Sequence, residues 1–188
     1  MDNIRQSYKK EQIAKSAWEY MMNTGLVSAS IGGFCKETKY GESTLYYYYK
    51  NKDDLWISAA KYGISNVVDK LLSFTLNHTN DIRTYFDSLL NEVDKYKYQL
   101  RLAIQITTSP SYGDRMRQKA MDFRTWYDEY AKKIIYIFNC TPLQAETFIY
   151  SIISYIMDYV IWDDKEKSQM LLENLYMRIM NFTKSDNP

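Results

Sequence analysis

The run Ser43-Thr44-Leu45-Tyr46-Tyr47-Tyr48-Tyr49-Lys50-Asn51-Lys52-Asp53-Asp54-Leu55 decides how this chain is read. Leu45 and Tyr49 stand four apart, on one face of a helical turn, and are assigned to packing. Asn51 with Asp53 and Asp54 behind it is a helix start, because Asn caps backbone N–H groups and acidic side chains suit the positive end of the dipole. A short helix beginning at Gly41 or Glu42 and ending near Tyr48 therefore meets a long one, capped by Asn51 and extending to about Thr75.

Upstream, a first helix is expected from about Tyr8 to Asn23, with Ile13, Ala17, Tyr20 and Met21 on one face and Gly25 as its stop. Ser30 caps a second short helix that ends near Thr38. Three short helices in the first fifty residues, then a long one, are the outline of a helix-turn-helix head. Residues 1–52 carry eight bases against five acids, while the remainder carries 16 against 18, so the attraction for phosphate lies at one end.

Composition narrows the class. The 188 residues suit one domain, or one with a small appended module. A hydrophobic content of 46% excludes a disordered chain, and six Gly with three Pro are few for a sheet protein full of tight turns and favour long uninterrupted segments. The net charge of +1 excludes a uniformly basic nucleic-acid coat. Cys35 and Cys140 form no CxxC pair and His78 is the single histidine, which argues against a metal site and against Ser/His/Asp or Cys/His catalysis. No glycine-rich phosphate loop occurs, so no enzyme and no cofactor are expected. The start of the chain has no apolar stretch of a signal peptide, and Phe148–Trp162 is shorter than the ~20 residues of a membrane helix and is interrupted by Asp158. A cytoplasmic protein without a membrane partner is the expectation.

Downstream the pattern stays helical. A break over His78–Asp81 precedes a helix from Asp81 to about Lys95, and another covers Tyr98–Thr107. Ser109-Pro110-Ser111-Tyr112-Gly113 is a loop. A helix from near Asp114 then carries Phe123, Trp126, Tyr127, Tyr130, Ile134 and Phe138. Thr141-Pro142-Leu143-Gln144 combines an N-cap, a first-turn Pro and a capping-box Gln, and starts a helix that reaches Ile161 or Trp162. Asp163-Asp164 opens the last helix, with Met170, Leu171, Leu175, Ile179 and Phe182. The fold class is all-α.

The quoted run resembles the signature of the TetR family of bacterial transcriptional regulators: Thr-Leu-Tyr, a further aromatic, then Lys and an acidic pair before Leu. Ile13, Ala17, Gly25, Ile31 and Phe34 fall at the spacings that family shows, and the match covers about residues 10–55. The resemblance implies a helix-turn-helix DNA-binding domain over 1–52 and a helical ligand-binding and dimerisation domain over 53–188. It implies that the last two helices form a four-helix bundle with a second subunit. The activity implied is that of a dimeric repressor on a roughly palindromic double-stranded operator, released by a small-molecule effector. Activation in place of repression, and a C-terminal domain that is a ligand-free interaction module, stay open.

The chemistry of DNA contact assigns roles within the motif. Ser30, Thr44, Tyr46 and Lys52 suit phosphate clamping, which takes hydroxyls, backbone N–H groups and Lys at helix starts. Glu42, Ser43 and Tyr47 suit base reading: Glu42 as acceptor from a cytosine amino group, Tyr47 against a thymine methyl. Tyr48 completes the DNA-contacting set. Set against this, four consecutive tyrosines also suit an amphipathic wedge, and Lys52 alone a solvated charge. Cys35 stands where the family has a small buried residue, so packing is expected of it before redox sensing. The family has Gly at the turn between the second and third helices, where this chain has Lys39; a left-handed Lys39 costs about 1 kcal/mol, or Gly41 relieves a differently shaped turn. Gly32 and Gly33 replace longer polar residues and leave mainly backbone N–H groups at that helix start.

The 142–162 helix has two apolar rows, Phe148, Ile152, Tyr155, Tyr159 and Ile149, Ile153, Ile156, Val160, more than one core contact needs. Between them runs Gln144, Thr147, Ser151, Ser154 and Asp158, read either as a solvent strip or as a pocket wall. In the pocket reading Asp158 faces a cationic or aromatic ligand, Ser154 lines the wall, and Trp126, Tyr127 and Trp162 are aromatic walls.

Overall fold

The computed structural model describes residues 2–119, 131–136 and 140–185, and these are helical with no strand among them. The helices are α1 (Asp2–Thr24), α2 (Ile31–Glu37), α3 (Glu42–Tyr48), α4 (Lys52–Asn77), α5 (Ile82–Asp94), α6 (Lys97–Thr108), α7 (Gly113–Lys119), a further helical stretch over 131–136, α8 (Pro142–Trp162) and α9 (Lys165–Ser185). No described helix is long and apolar enough to cross a membrane. Phe123, Trp126, Tyr127, Tyr130 and Phe138 lie outside the described residues, as does the side chain of Phe182.

The caps behave as their chemistry requires. Ser30 Oγ accepts from Gly33 N at 3.1 Å, Asn51 Oδ1 from Asp54 N at 2.9 Å, and Asp81 Oδ1 from Thr84 N at 3.1 Å. At Thr141 both halves of the capping box form: Oγ1 accepts from Gln144 N at 3.3 Å, and Gln144 Oε1 accepts from Thr141 N at 2.8 Å. Gly25 ends α1 with φ +79°, the left-handed conformation glycine adopts without steric penalty.

Three expectations are corrected. First, α1 starts at Asp2, about six residues before Tyr8; with exposed Ile4, Tyr8 and Lys9, those turns lack the apolar periodicity that marks a helix start. Second, Lys39 is not left-handed. Thr38 leaves α2 in extended backbone (φ −117°, ψ 171°), its hydroxyl donates to Phe34 O at 2.8 Å and accepts from Tyr40 N at 3.4 Å, and the turn needs no positive φ. Gly41 is extended too (φ −80°, ψ 154°) and serves as the N-cap of α3. Third, Asp163 closes α8 and does not open the next helix: it is the C-cap, left-handed at φ 63°, and Asp164 caps α9 by accepting from Lys167 N at 3.0 Å.

The chain divides into two compact units. Unit 1 comprises residues up to Asp69 together with Tyr98–Lys119. Its core joins Ile13, Ala17, Trp18, Tyr20 and Met21 of α1 to Phe34, Leu45, Tyr49, Leu55, Trp56 and Ile57, and takes in Leu102, Ile106 and Met116. Tyr20 stacks on Trp56 with ring centroids 6.1 Å apart, and Phe34 stands edge-on to Trp56 at 6.1 Å. Arg115 of α7 pairs with Asp54, and with Asp53 at 3.6 Å, so the two acids that suit the α4 dipole also hold α7.

Unit 2 comprises Lys70–Lys97 and the chain from Ala120 onward. Here α9 packs on α5 and α8. The buried face of α9 is Ser168, Leu172, Leu175 and Ile179, at steps of four and three; Leu175 and Ile179 are among the expected residues, whereas Leu171 is half-buried and Met170 exposed. A polar cluster ties the helix ends: Asp94 accepts from the Tyr159 hydroxyl and from Lys165 Nζ (2.6 Å), while Lys97 pairs with Asp163 and lies 3.8 Å from the Tyr159 ring centroid.

Candidate nucleic-acid interface

Helix α3 is mounted by its inner face. Leu45 is 1% exposed and Tyr49 3%, and the Tyr49 hydroxyl donates to the Lys10 carbonyl at 2.5 Å. Burial, and after it the neighbouring Tyr40, pushes the Tyr49 phenol far above its ordinary range, so it stays a neutral donor. Lys10 Nζ lies 5.2 Å from the Tyr49 ring centroid and Lys9 Nζ 5.1 Å from that of Tyr40. Thus α1 flanks α3 and brings basic side chains to it.

The outer face carries most of the predicted contact residues. Tyr46 is 51% and Tyr47 69% exposed; Glu42, Ser43 and Lys52 are exposed and Thr44 half-buried. Tyr48 differs from them: it is half-buried, packs on the unit 1 core and meets the Tyr47 ring edge-on, centroids 4.9 Å apart. Four successive tyrosines therefore divide into two that face water, one that is half-covered and one in the core. Ser30, exposed at the start of α2, has its hydroxyl engaged as the cap of Gly33 N.

Gly33 has a packing reason. A Cβ there would stand 3.3 Å from Tyr20 Cζ and closer still to the Tyr20 hydroxyl, which accepts from Ser30 N at 3.4 Å. Cys35 is half-buried against the core, and burial first, then Glu42, raises its thiol pKa. A thiol held protonated is a poor nucleophile, which fits packing.

Sequence reasoning missed Gln6. Its amide Nε2 donates to the Tyr47 hydroxyl at 3.1 Å, bringing the beginning of α1 to α3. An amide 41 residues away leaves no local sign of such a contact.

Of the second set of predicted residues, three are among those described. Ser154 is exposed, Asp158 half-buried and Trp162 73% exposed; Trp126 and Tyr127 lie outside the described residues. The hydroxyls of Thr147 and Ser151 donate to the carbonyls of Leu143 and Thr147, 2.7 and 2.8 Å away on their own helix. An open groove of about 710 Å³ in unit 2 is lined by other residues, among them Arg83, Asn91, Lys165 and Gln169. On the outer side of α8, Thr147 and Ser154 alternate with exposed Leu143, Tyr150 and Ile161, a row at steps of three, four and seven. Among the described residues no group of three metal-ligating side chains is gathered. Comparison with family models, with curated proteins and with solved structures finds no match for this chain.

Proposed function

We propose that unit 1 binds double-stranded DNA through α3 and that the chain is a transcriptional regulator of the TetR type. One observation carries the reading: Leu45 of α3 and Tyr49, its C-cap, are sealed into the core while Glu42, Ser43, Tyr46 and Tyr47 of α3, and Lys52 beyond it, face water. A helix anchored by one face can offer the other to the major groove, which admits one α-helix. In this reading Tyr46, Thr44, Lys52 and the start of α2 meet phosphates, and Glu42, Ser43 and Tyr47 meet base edges.

The regulator acts as a homodimer on a roughly palindromic operator, with half-sites about 34 Å apart. Exposed Leu143, Tyr150 and Ile161 on α8, with Met170 and Met177 on α9, support a second copy as their cover. A small molecule bound in unit 2 releases the operator by favouring one conformation; tenfold release takes about 1.4 kcal/mol of differential affinity. The second reading keeps the DNA-binding unit and makes unit 2 a ligand-free assembly module. The Thr147 and Ser151 hydroxyl protons, donated to their own helix and so not offered to a ligand, favour it. In both readings the chain is a binder and not an enzyme.

Selection of bound duplexes from a random DNA pool tests the proposal, with Lys52→Ala and Tyr46→Phe in parallel. Expected is a two-fold symmetric site, bound more weakly by both variants and with affinity falling steeply in salt. Absence of enrichment at low salt refutes the reading for the ligand-free protein. Tryptophan fluorescence titrated with lipophilic cations and with neutral or acidic compounds then separates the two readings of unit 2; a response only to the latter compounds rules out a cationic ligand.

A further inference from the structure

Tyr47 is held in place although it is exposed. Its ring stands against Tyr48, interplanar angle 86°, and Tyr48 rests on the core. Its hydroxyl accepts from Gln6 Nε2. Burial does little to fix a side chain 69% open to water, so these two contacts are what position it. A group fixed before binding loses less freedom on binding.

The direction of the Gln6 bond matters more than its strength. A phenol has one proton to donate and lone pairs that accept. With a lone pair occupied by the amide N–H, the proton is left to point elsewhere. We infer that Gln6 is a positioning residue that sets Tyr47 as a hydrogen-bond donor toward the duplex. This inference rests on the reading of unit 1 as a DNA binder. Tyr47 then selects acceptors and disfavours the amino groups of adenine and cytosine. The acceptor is a base edge (guanine O6 or N7, thymine O4) or a phosphate oxygen; the chemistry is the same, and only the former chooses sequence. The earlier expectation of a thymine methyl under Tyr47 uses the ring alone and gives the hydroxyl no role.

The test uses the full chain, duplex selection, and affinity for the selected site with the wild type, Gln6→Glu, Tyr47→Phe and the double variant. In Gln6→Glu the carboxylate takes the Tyr47 proton as acceptor and turns the phenol's lone pairs toward the DNA. The added negative charge weakens binding by itself, and its effect is read in the Tyr47→Phe background. Expected is a loss from Gln6→Glu that is roughly three- to tenfold larger with Tyr47 present than in the Tyr47→Phe background, the worth of one net hydrogen bond. A base-edge acceptor also flattens the preference at one position of each half-site, while a phosphate acceptor weakens all sites alike. Equal losses in the two backgrounds overturn the inference and leave DNA binding standing; an amide turned to accept from Tyr47 gives that result, since glutamate accepts as well. If the wild type enriches no duplex, the DNA-binding reading falls and the inference falls with it. Unchanged thermal midpoints show that these exposed positions act on recognition and not on folding.

Discussion

Gly63→Ala sets two physical effects against each other, and the structure decides their sign. Gly63 lies inside α4, where replacing Gly by Ala in open surroundings stabilises a helix by about 1 kcal/mol. In unit 1, however, the indole of Trp18 occupies the space a side chain would need. A Cβ at Gly63 would stand 2.6 Å from Trp18 Cζ2 and closer still to Cε2 and Cδ2. Ordinary carbon contacts lie at about 3.5–4.0 Å, so the ring has to retreat by at least roughly 1 Å. Trp18 is 6% exposed within a packed core, and one methyl of overpacking costs roughly 1–3 kcal/mol. A flat, rigid ring struck near its centre puts the cost at the upper end. Less the helix gain, the expected net loss is about 2 kcal/mol, or a thermal midpoint lower by roughly 4–8 °C. Urea titration followed by tryptophan emission and by far-ultraviolet circular dichroism measures it. Trp18→Leu in the same chain supplies room, so the double variant should be more stable than the sum of the single losses predicts. A Gly63→Ala protein as stable as the wild type, or more stable, would show that helix propensity governs the site and refute the packing argument.

Further outcomes follow from the same contacts. Tyr49→Phe removes the bond to the Lys10 carbonyl and should cost about 1 kcal/mol in urea unfolding, with the selected DNA sequence unchanged; a changed sequence with unchanged stability would place Tyr49 at the duplex. Thr141→Ala deletes one half of the capping box of α8 and should cost about 1 kcal/mol, with Thr141→Ser restoring most of it. Burial pushes the Asp94 carboxyl up, but hydrogen bonds from Lys165 and Tyr159, with the charges of Lys165 and Lys97, outweigh it and hold the group below its ordinary value. A depressed carboxylate stabilises the fold above its unfolded value of about 3.9, and this is lost as pH falls through the lower folded value. The stability difference between wild type and Lys165→Ala should therefore shrink below about pH 4; a difference constant from pH 7 to pH 3 would deny Asp94 that role.

How far the chain could be read from its residues depended on the sequence distance over which each feature is decided. Caps are events within three or four residues, so Ser30, Asn51, Asp81 and Thr141 announced their helices, and Leu45 with Tyr49 announced the inner face of α3. The local signal failed at the start of α1, whose first turns carry no apolar face, and at the Thr38–Gly41 turn, where a threonine hydroxyl did what a glycine was expected to do. The candidate interface was legible in the same measure: the exposure of Tyr46 and Tyr47 follows from periodicity, but Gln6 on Tyr47 does not.

By itself, then, the sequence determined an all-helical chain, the positions of most helix ends and which side of α3 turns inward, because these depend on backbone hydrogen bonds and on a period of 3.6 residues. Only the tertiary structure decided that Tyr98–Lys119 shares a core with the first 69 residues, that Trp18 claims the space beside Gly63, and that Arg115 joins Asp53 and Asp54. Those are contacts between residues dozens of positions apart. Side-chain shape and charge select them only after the chain has folded back on itself, and no local pattern records which partner wins.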